Sequence, residues 1–255
     1  MAVKQTKKLN DSSVTDVTTV NSTDRILMKD ANGKLIPISL ANLKAALSGG
    51  VSENAQLDGV FIMYHDNSGN TVRMVKPHKW PSLQSAGQIA DGVVIVEGGK
   101  ILVVAPTDDA MMWSSEAVSG GGVTTSDRLT AINDWAGKQN TAAQITKAAC
   151  SSNAYAPGYC ANYSRVNANG QGLTAGKWWL PSLGEMLMIY ANMTKINYAL
   201  SLISGATQLQ ETAYWTSTEY VATSAWYLNL TYGYAYSNTK ASNTLRVRPV
   251  SAFIA

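Results

Sequence analysis

Residues 225–231, AWYLNLT, constrain the fold most, because their apolar and polar side chains alternate. A period of two puts successive side chains on opposite faces of a β-strand. One face then carries Trp226, Leu228 and Leu230, and the other carries Tyr227, Asn229 and Thr231. The segment TLRVRPV repeats the alternation, with Leu245 and Val247 against Arg246 and Arg248. The C-terminal part of the chain is therefore predicted to form a sheet with one face in a core and the other in solvent.

The predicted solvent face is rich in tyrosine. The chain has 12 Tyr and 7 Trp but only 2 Phe, so most of its aromatic residues carry a polar tip and suit a contact surface. Tyr together with Ser, Gly and Asn is the composition of antibody paratopes, because Tyr gives a large contact area for little rotamer entropy. Tyr also has a high strand propensity. Composition alone therefore fits a recognition face and an ordinary Tyr-rich β-surface equally well.

Residues 1–55 are predicted to be a small attachment or oligomerisation module. The apolar runs RILMKD and KLIPIS are joined by ANG at 31–33, and Asn-Gly between apolar runs is a strong hairpin signal because both residues tolerate positive φ. Ser39 is predicted to cap a short helix that ends at the glycine pair 49–50. The stretch ILMKDANGKLIPISLANLKAAL resembles the N-terminal modules of phage tail-fibre and related virion proteins.

Residues 56–255 are predicted to form a ligand-binding domain of the α+β class. Strands are predicted in GVFIMYH and TVRMVK, on either side of a turn at 67–70, and in GVVIVEG and KILVVAP, on either side of the glycine pair 98–99. One helix is predicted after Ser126, with Leu129, Ile132 and Trp135 on one face, and another after Asn140.

The clearest helix signal lies in WWLPSLGEMLMIYA. Ser182 and Glu185 have the spacing of a capping box, in which each side chain bonds the other residue's backbone N–H. One apolar stripe at i, i+3, i+4 and i+7 follows, formed by Leu183, Met186, Leu187 and Tyr190. A second helix is predicted over 195–203.

Five ordered segments carry a family resemblance: WWLPSLGEM, IYANMTKINYAL, YWTSTEY, AWYLNLTYG and LRVRPVSAF. Together they resemble the bacterial and phage C-type-lectin-fold domains, a group that includes formylglycine-generating-enzyme-like modules. Within that group they are most similar to the variable proteins diversified by diversity-generating retroelements, over roughly residues 59–253. The resemblance implies a compact α+β domain with a C-type-lectin-like fold, in which Trp215, Trp226, Arg248 and Pro249 hold the framework.

The resemblance also implies where a ligand would bind. Such retroelements mutate adenines, so the variable codons are typically Asn-like, and their products include Asn, Tyr, Ser, Thr, Ala, Val and Leu. The positions that match this pattern are Val221, Ala222, Thr223, Ser224, Tyr227, Asn229, Tyr232, Tyr234, Tyr236, Asn238, Asn243 and Thr244, with Leu245 as a further candidate. Their interleaving with framework residues favours a recognition face over an ordinary β-surface.

The expected function is receptor or ligand recognition, at the tip of a phage tail fibre or as a surface adhesin. The expected partner is a protein or glycan receptor on a target cell surface. A homo-oligomer is expected, a trimer by analogy with tail fibres, because several shallow sites acting together gain avidity. Two alternatives stay open: an undiversified structural or carbohydrate-binding domain of the same fold, and a formylglycine-generating-type oxidase.

No catalytic, cofactor or metal site is predicted. His65 and His78 are the only histidines, and both are predicted to lie at the surface. The oxidase relatives depend on reactive cysteines near the C-terminal end of the domain, whereas no cysteine follows Cys160 here. The acidic residues of one region fit no EF-hand spacing and are predicted to be solvated loop charges: Asp108, Asp109 and Glu116.

Two pairings are considered from the sequence. Cys150 and Cys160 are either a disulfide that closes a short loop or two free thiols, and the spacing does not decide between them. Glu219 is predicted to pair with a framework arginine, such as Arg246 or Arg248.

Charge and hydropathy exclude some classes of partner. The net charge is only +3, and the one basic cluster is Lys4, Lys7 and Lys8, so nucleic-acid binding is not expected. No apolar run is long enough to span a bilayer, so membrane insertion is not expected either. MAVKQTKKLNDSS has no apolar segment after its positive charges and does not match a signal peptide. The protein is therefore expected to be made in the cytosol and to reach the exterior by release or in a virion.

Overall fold

The computed structural model describes residues 58–253, together with the backbone of two strands at 25–29 and 35–39. The chain divides into two compact units, Met1–Gln56 and Leu57–Ala255. In the first unit, β1 (Arg25–Lys29) pairs antiparallel with β2 (Leu35–Ser39), which confirms the hairpin predicted from the two apolar runs. The turn at 31–33 and the helix predicted after Ser39 lie outside the described residues.

The second unit contains a six-stranded antiparallel sheet. Its strands are β3 (Gly59–His65), β4 (Val72–Val75), β5 (Ala90–Glu97), β6 (Lys100–Val104), β10 (Trp178–Trp179) and β15 (Val250–Ser251). They lie in the order β10-β15-β6-β5-β3-β4, so both predicted hairpins, β3–β4 and β5–β6, are confirmed. Gly98 and Gly99 have φ values of +55° and +75°. Two consecutive positive φ angles define the tight turn that joins β5 to β6, and glycine adopts them without strain.

A second sheet of five strands carries the C-terminal alternation. Its strands are β7 (Asp109–Met111), β11 (Ala213–Val221), β12 (Ser224–Asn229), β13 (Tyr234–Thr239) and β14 (Leu245–Val247). Their order is β13-β12-β11-β14-β7, with β11 and β14 parallel and the other pairs antiparallel. The strand predicted from AWYLNLT is therefore β12, and β13 lies at one edge. Two short strands, β8 (Arg165–Val166) and β9 (Gly172–Leu173), pair separately.

Seven α-helices are described in this unit. They are α1 (Trp80–Ser85), α2 (Arg128–Ile132), α3 (Gly137–Gln144), α4 (Ala148–Ser151), α5 (Ala156–Asn162), α6 (Leu183–Ala191) and α7 (Met193–Ser201), and a 3₁₀ turn, Pro77–Lys79, precedes α1. The capping box at α6 is confirmed: Ser182 Oγ accepts from the Glu185 N–H at 3.4 Å, and Glu185 Oε2 accepts from the Ser182 N–H at 2.9 Å. The helix predicted over 195–203 is α7 and begins two residues earlier.

The helix predicted after Ser126 is shorter than expected. Asp127 caps it, because the Asp127 carboxylate accepts the Thr130 N–H at 2.8 Å. The helix, α2, ends three residues before Trp135, so no apolar face reaches that side chain. Leu129 is 66% exposed. The prediction of an apolar face on this helix was therefore wrong, because a helix of five residues is too short to form such a face.

Asn140, predicted to precede a helix, lies inside α3. Its side-chain amide donates to Asp134 at 2.9 Å, and its side-chain oxygen accepts the Val123 N–H at 2.8 Å. The Thr218 hydroxyl also donates to Asp134, at 2.7 Å. Asn140 therefore joins a buried polar network between α3 and β11 and caps no helix.

The main core lies where α6 packs on β11 and β12, and α7 packs on β3 and β5. Trp226, Leu228 and Leu230 are buried in it, which confirms the predicted core face of β12. Burying each such side chain stabilises the fold by about 1.5–3 kcal/mol. A second apolar cluster, on the other side of the five-stranded sheet, covers Trp215 and Val247. As a result β11 is buried on both faces, whereas the second face of β12 is partly covered and β13 exposes Tyr234 and Tyr236.

No helix in the described part of the chain has the length and hydropathy needed to span a membrane.

Candidate ligand-binding face

The open face of β12 and β13 carries a continuous line of aromatic rings. Tyr227 lies directly opposite Tyr236 across the two strands, and their ring centroids are 6.3 Å apart. Tyr234 follows on the same face, 6.2 Å from Tyr236 and edge-on to it, and Tyr232 stacks on Tyr234 at 5.8 Å. These are the separations at which aromatic pairs attract each other. We call Tyr227, Tyr232, Tyr234 and Tyr236 the tyrosine row.

The tyrosine row runs from the core into solvent. At its inner end, the buried Trp215 makes an edge-on contact with Tyr227 at 6.3 Å. Tyr236, Tyr234 and Tyr232 are 50%, 55% and 66% exposed. Exposed aromatic rings usually lose rotamer freedom when they bind, but here each ring already rests on its neighbour. The row therefore presents a large apolar surface and several hydroxyl groups in a partly fixed arrangement.

The turn between β12 and β13 sets the position of Tyr232 and Tyr234. Asn229 holds this turn, since its side-chain oxygen accepts the Thr231 N–H at 2.9 Å and its carbonyl accepts the Gly233 N–H at 2.8 Å. Gly233 has a φ of +70°, and a Cβ built there would lie 2.7 Å from the ring of Tyr190 on α6. Only glycine fits this close approach, so the turn packs against α6.

The other predicted contact residues gather at the opposite end of the same strands. Val221, Ala222, Thr223 and Ser224 form the turn between β11 and β12, and Asn238, Asn243 and Thr244 lie beside it near the end of β13. Ser224 is paired with Thr239, and the Asn243 amide donates to the Thr239 carbonyl at 3.3 Å. None of the twelve predicted contact residues is buried.

The two groups occupy the same sheet but do not merge into one pocket. Tyr234 and Asn238 are four residues apart on one strand, which separates them by about 13 Å. Any ligand that touches both groups must therefore extend along β13. Leu245, the further candidate, is half-buried against the second apolar cluster.

A buried ion pair supports the turn that carries Val221–Ser224. Lys240 donates to the Glu219 carboxylate, to the Val118 carbonyl at 2.9 Å and to the Ala222 carbonyl at 2.8 Å. Its ammonium also lies 4.4 Å from the centre of the Trp113 ring. Burial lowers the pKa of Lys240, and the hydrogen bond and charge of Glu219 oppose that shift. The predicted pairing of Glu219 with an arginine was wrong, because this lysine occupies the site.

Arg246 on β14 and Arg248, just after that strand, pair with Asp108 instead. Arg246 donates to both Asp108 oxygens, at 2.9 and 2.7 Å, and Arg248 approaches at 3.2 Å. Burial raises the pKa of Asp108, but the bond from Arg246, the charge of Arg248 and the hydroxyl of Tyr214 outweigh it and lower the pKa overall. The Asp108 side chain is thus buried and binds both arginines, so the prediction that it is a solvated loop charge was wrong. Asp109 and Glu116 are exposed, as predicted.

Arg248 departs from the alternation that placed it in solvent. Its side chain is fully buried, with one guanidinium nitrogen 3.0 Å from the Ala105 carbonyl and another 3.0 Å from the Thr207 carbonyl. A buried arginine is tolerated where carboxylate and carbonyl oxygens take up its donors. This burial agrees with a framework role for Arg248.

His65 is not at the surface as predicted. It is buried on β3, with Nδ1 2.6 Å from Oδ2 of the buried Asp91, and burial raises the pKa of Asp91 to about 6. The pair sits between β3 and β5, where Asn167 donates to the His65 carbonyl at 3.3 Å. His78 is exposed, as predicted.

The two cysteines are free and buried. Burial raises the pKa of Cys150 to about 11 and the pKa of Cys160 well above its usual value. Both thiols are therefore protonated at neutral pH and poor nucleophiles. Within residues 58–253, no three His, Cys, Asp or Glu side chains converge in a way that could hold a metal ion.

One feature beside the tyrosine row was not predicted from the sequence. A cavity of about 250 Å³ opens next to Tyr236, and Arg128 from α2 lines it. Arg128 precedes Tyr236 by more than a hundred residues in the chain and belongs to no local pattern, so only the folded structure places them together.

Comparison with known proteins adds little to this geometry. No protein-family model matches the chain, and no curated protein sequence matches it. Among solved structures, the chain is distantly similar to a fimbrial protein from Bacteroides ovatus, with 15% identity and a TM-score of 0.33. The alignment covers 92% of this chain and 49% of that protein, so the chain spans about half its length. A similarity this low assigns neither the fold family nor the function; the chain is a mixed α+β protein with several sheets and seven described helices.

Proposed function

We propose that this protein is a receptor-binding protein that recognises a protein or glycan on a target cell surface through the face formed by β12 and β13. The observation that carries the proposal is the tyrosine row. Three neighbouring rings are each at least half exposed: Tyr232 in the turn before β13, and Tyr234 and Tyr236 on β13. Large exposed apolar side chains cost a protein solubility and usually mark a contact surface.

The chemistry of this face suits recognition. The rings provide apolar area, their hydroxyl groups donate and accept hydrogen bonds, and Asn238, Asn243 and Thr244 supply adaptable polar groups at the other end. A shallow face of this size binds weakly as a single copy. We therefore propose display on a homo-oligomer, a trimer, where several weak contacts act together.

The family resemblance extends the proposal. We propose a C-type-lectin-like fold, diversified by a retroelement at the exposed positions and carried at the tip of a phage tail fibre or on a related surface adhesin. The interleaving of exposed candidates with buried framework residues supports this. On β13, Ala235 is buried between the exposed Tyr234 and Tyr236. A near-copy of the 3′ coding end, differing at adenines and next to a reverse transcriptase gene, is the expected genomic signature; without it the diversification proposal fails.

We propose no enzymatic activity and no cofactor for the described domain. The acidic groups with the largest upward pKa shifts, Asp91 and Glu185, are engaged in structural contacts, with His65 and with the cap of α6. The free thiols are held protonated by burial. An oxidase assay with copper and a cysteine-containing peptide is expected to give no turnover.

The test of recognition is cell binding by the purified full chain, measured by flow cytometry on a panel of bacterial cells. The double variant Tyr232→Ala/Tyr234→Ala is expected to weaken binding at least tenfold, because both rings lose contact with the receptor. Tyr198→Ala is the matched control, since Tyr198 is 53% exposed on α7 and its ring contacts no ring of the row. Equal loss in both variants, or no loss in the double variant, contradicts the proposal.

A further inference from the structure

The cavity beside Tyr236 combines aromatic walls with a cationic group. Tyr220, Trp226 and Tyr236 line it, and Arg128, Ser126 and Ser237 supply its polar atoms. Its volume is about 250 Å³, and part of its lining comes from the edge strand β13. Aromatic surface with a few convergent polar groups is the usual make-up of a small-molecule site.

Arg128 is placed to bind an anion. Its guanidinium carbon lies 5.9 Å from the centre of the Tyr236 ring, within the range of a cation–π contact that orients the side chain. Across residues 58–253, no carboxylate forms an ion pair with it, in contrast to Arg73, Arg246 and Arg248. The planar guanidinium therefore keeps donors for a carboxylate, which it binds through two parallel hydrogen bonds.

Hydrogen bonds and a ring contact fix the position of the aromatic residues that line the cavity. The Trp226 indole N–H donates to the Thr125 carbonyl at 2.8 Å, and Tyr220 packs edge-on against Trp226 at 5.1 Å. The Thr125 N–H in turn donates to the Glu219 carbonyl at 2.9 Å. These bonds fasten the loop before Arg128 to β11 and β12. The neighbouring carboxylate, Asp127, is engaged by Thr130 and does not line the cavity.

We propose that this cavity binds a carboxylate-bearing sugar, a sialic or uronic acid residue of a surface glycan. This inference rests on the proposed recognition function and names the chemical class of the receptor. The aromatic lining of the cavity contacts the apolar C–H groups of the sugar, and Arg128 binds its carboxylate. The hydroxyl groups of Ser126 and Ser237 bond the sugar hydroxyls. The tyrosine row then contacts the next residues of the glycan along the edge strand.

The test is saturation-transfer NMR on the full chain with N-acetylneuraminic acid, glucuronic acid, the methyl ester of each acid, and glucose. Either acid is expected to show saturation transfer and a dissociation constant at least tenfold below that of its ester and of glucose. Comparison of the two acids distinguishes the sialic from the uronic source. Since the carboxylate contact is ionic, affinity is also expected to fall as salt is raised.

Two variants localise the binding. Arg128→Gln is expected to weaken acid binding at least tenfold, and Arg128→Lys to restore only part of it, because an ammonium cannot form the paired bonds of a guanidinium. Arg73→Gln is the matched control: it removes the same charge from an exposed arginine on β4. Arg128 is exposed, so its variants are expected to keep the parent's melting temperature, which is measured alongside.

Several outcomes overturn the inference. The inference fails if the acids, their esters and glucose bind equally well, or if neither acid binds. It also fails if Arg73→Gln loses as much acid binding as Arg128→Gln. These outcomes are separable from failure of the proposed function, which is tested at Tyr232 and Tyr234 outside the cavity. Cell binding that depends on those tyrosines without acid binding refutes the sugar proposal alone. Acid binding at Arg128 without tyrosine-dependent cell binding refutes the tyrosine-row proposal and leaves the cavity as an isolated site.

Discussion

Lys240 and Glu219 form an ion pair in which neither side chain has any exposed surface. The Glu219 carboxylate also accepts the N–H groups of Gly120 and Gly122, at 2.8 and 2.9 Å, so it organises the loop on one side of the pair. Lys240 organises the other side, through its bond to the Ala222 carbonyl. The exposed turn at 221–224 therefore rests on a charge pair that solvent does not reach.

Replacing Lys240 by Met is expected to destabilise the domain by about 3–5 kcal/mol, because Glu219 is then a buried charge without a counter-ion. Urea unfolding followed by tryptophan fluorescence measures the change. The double variant Lys240→Met/Glu219→Gln is expected to be more stable than the single variant, since no unpaired charge is left. Lys177→Met, at an exposed lysine, is the control and is expected to change stability by less than about 0.5 kcal/mol. A single variant as stable as this control contradicts the prediction.

Glu185 gives the domain a specific pH dependence. Burial raises its pKa to about 7, although the bonds from Ser182 and Trp179 favour the charged form. A carboxyl whose pKa is higher in the folded state binds its proton more tightly there, so stability falls as pH rises from about 4.5 to about 7. The full effect is about 3 kcal/mol at most. Asp91, with a pKa of about 6, adds a fall of the same sign that ends at lower pH.

The Glu185→Gln variant isolates this contribution. The Gln side-chain oxygen can accept the same two N–H bonds but does not titrate. We therefore expect the variant to gain stability relative to the parent as pH rises from 5 to 8, measured by urea unfolding at each pH. A constant difference between the two proteins over this range contradicts the assigned pKa.

The elements predicted correctly are those whose signals are local. The alternation around Trp226, the capping box at Ser182 and the glycine turn at 98–99 each depend on residues within a few positions of one another, and all three are present. Periodicity also identified which residues of β12 and of the turn after it face the core. It could not show that the exposed tyrosines form one row, because that depends on the strand register that pairs Tyr227 with Tyr236.

The wrong predictions for Glu219, Asp108, Arg248 and His65 concern ionisable groups whose partners are distant in sequence. Asp108 and Arg246 are 138 residues apart, and no local pattern signals that they meet. An exposed and a buried charge look alike in a sequence, because burial depends on whether the fold supplies a partner. For this reason Arg248, Asp108 and His65 were placed in solvent although their side chains are buried.

The tyrosine row and the core beneath it are expected to respond differently to truncation. Tyr232→Ala and Tyr234→Ala remove exposed rings and are each expected to change the free energy of unfolding by less than about 0.5 kcal/mol while weakening cell binding. Trp226→Ala is expected to cost about 3–5 kcal/mol, because the indole is 4% exposed in the main core. Urea unfolding of the three variants checks this; strong destabilisation by either tyrosine change shows that the row is structural.

Gly233 is expected to be essential for the shape of the recognition face. Gly233→Ala places a Cβ at positive φ, which costs about 1–2 kcal/mol, and also drives it to 2.7 Å from the Tyr190 ring. Gly170→Ala is the matched control, because Gly170 has a similar φ of +75° but no atom within 4 Å of the built Cβ. Gly233→Ala is expected to lower the free energy of unfolding by about 1–3 kcal/mol more than Gly170→Ala, measured by urea unfolding, because only Gly233→Ala clashes with α6.

Because Tyr232 and Tyr234 flank Gly233, Gly233→Ala is also expected to weaken cell binding, whereas Gly170→Ala leaves it unchanged. Equal effects at the two glycines mean that the turn does not depend on its packing against Tyr190.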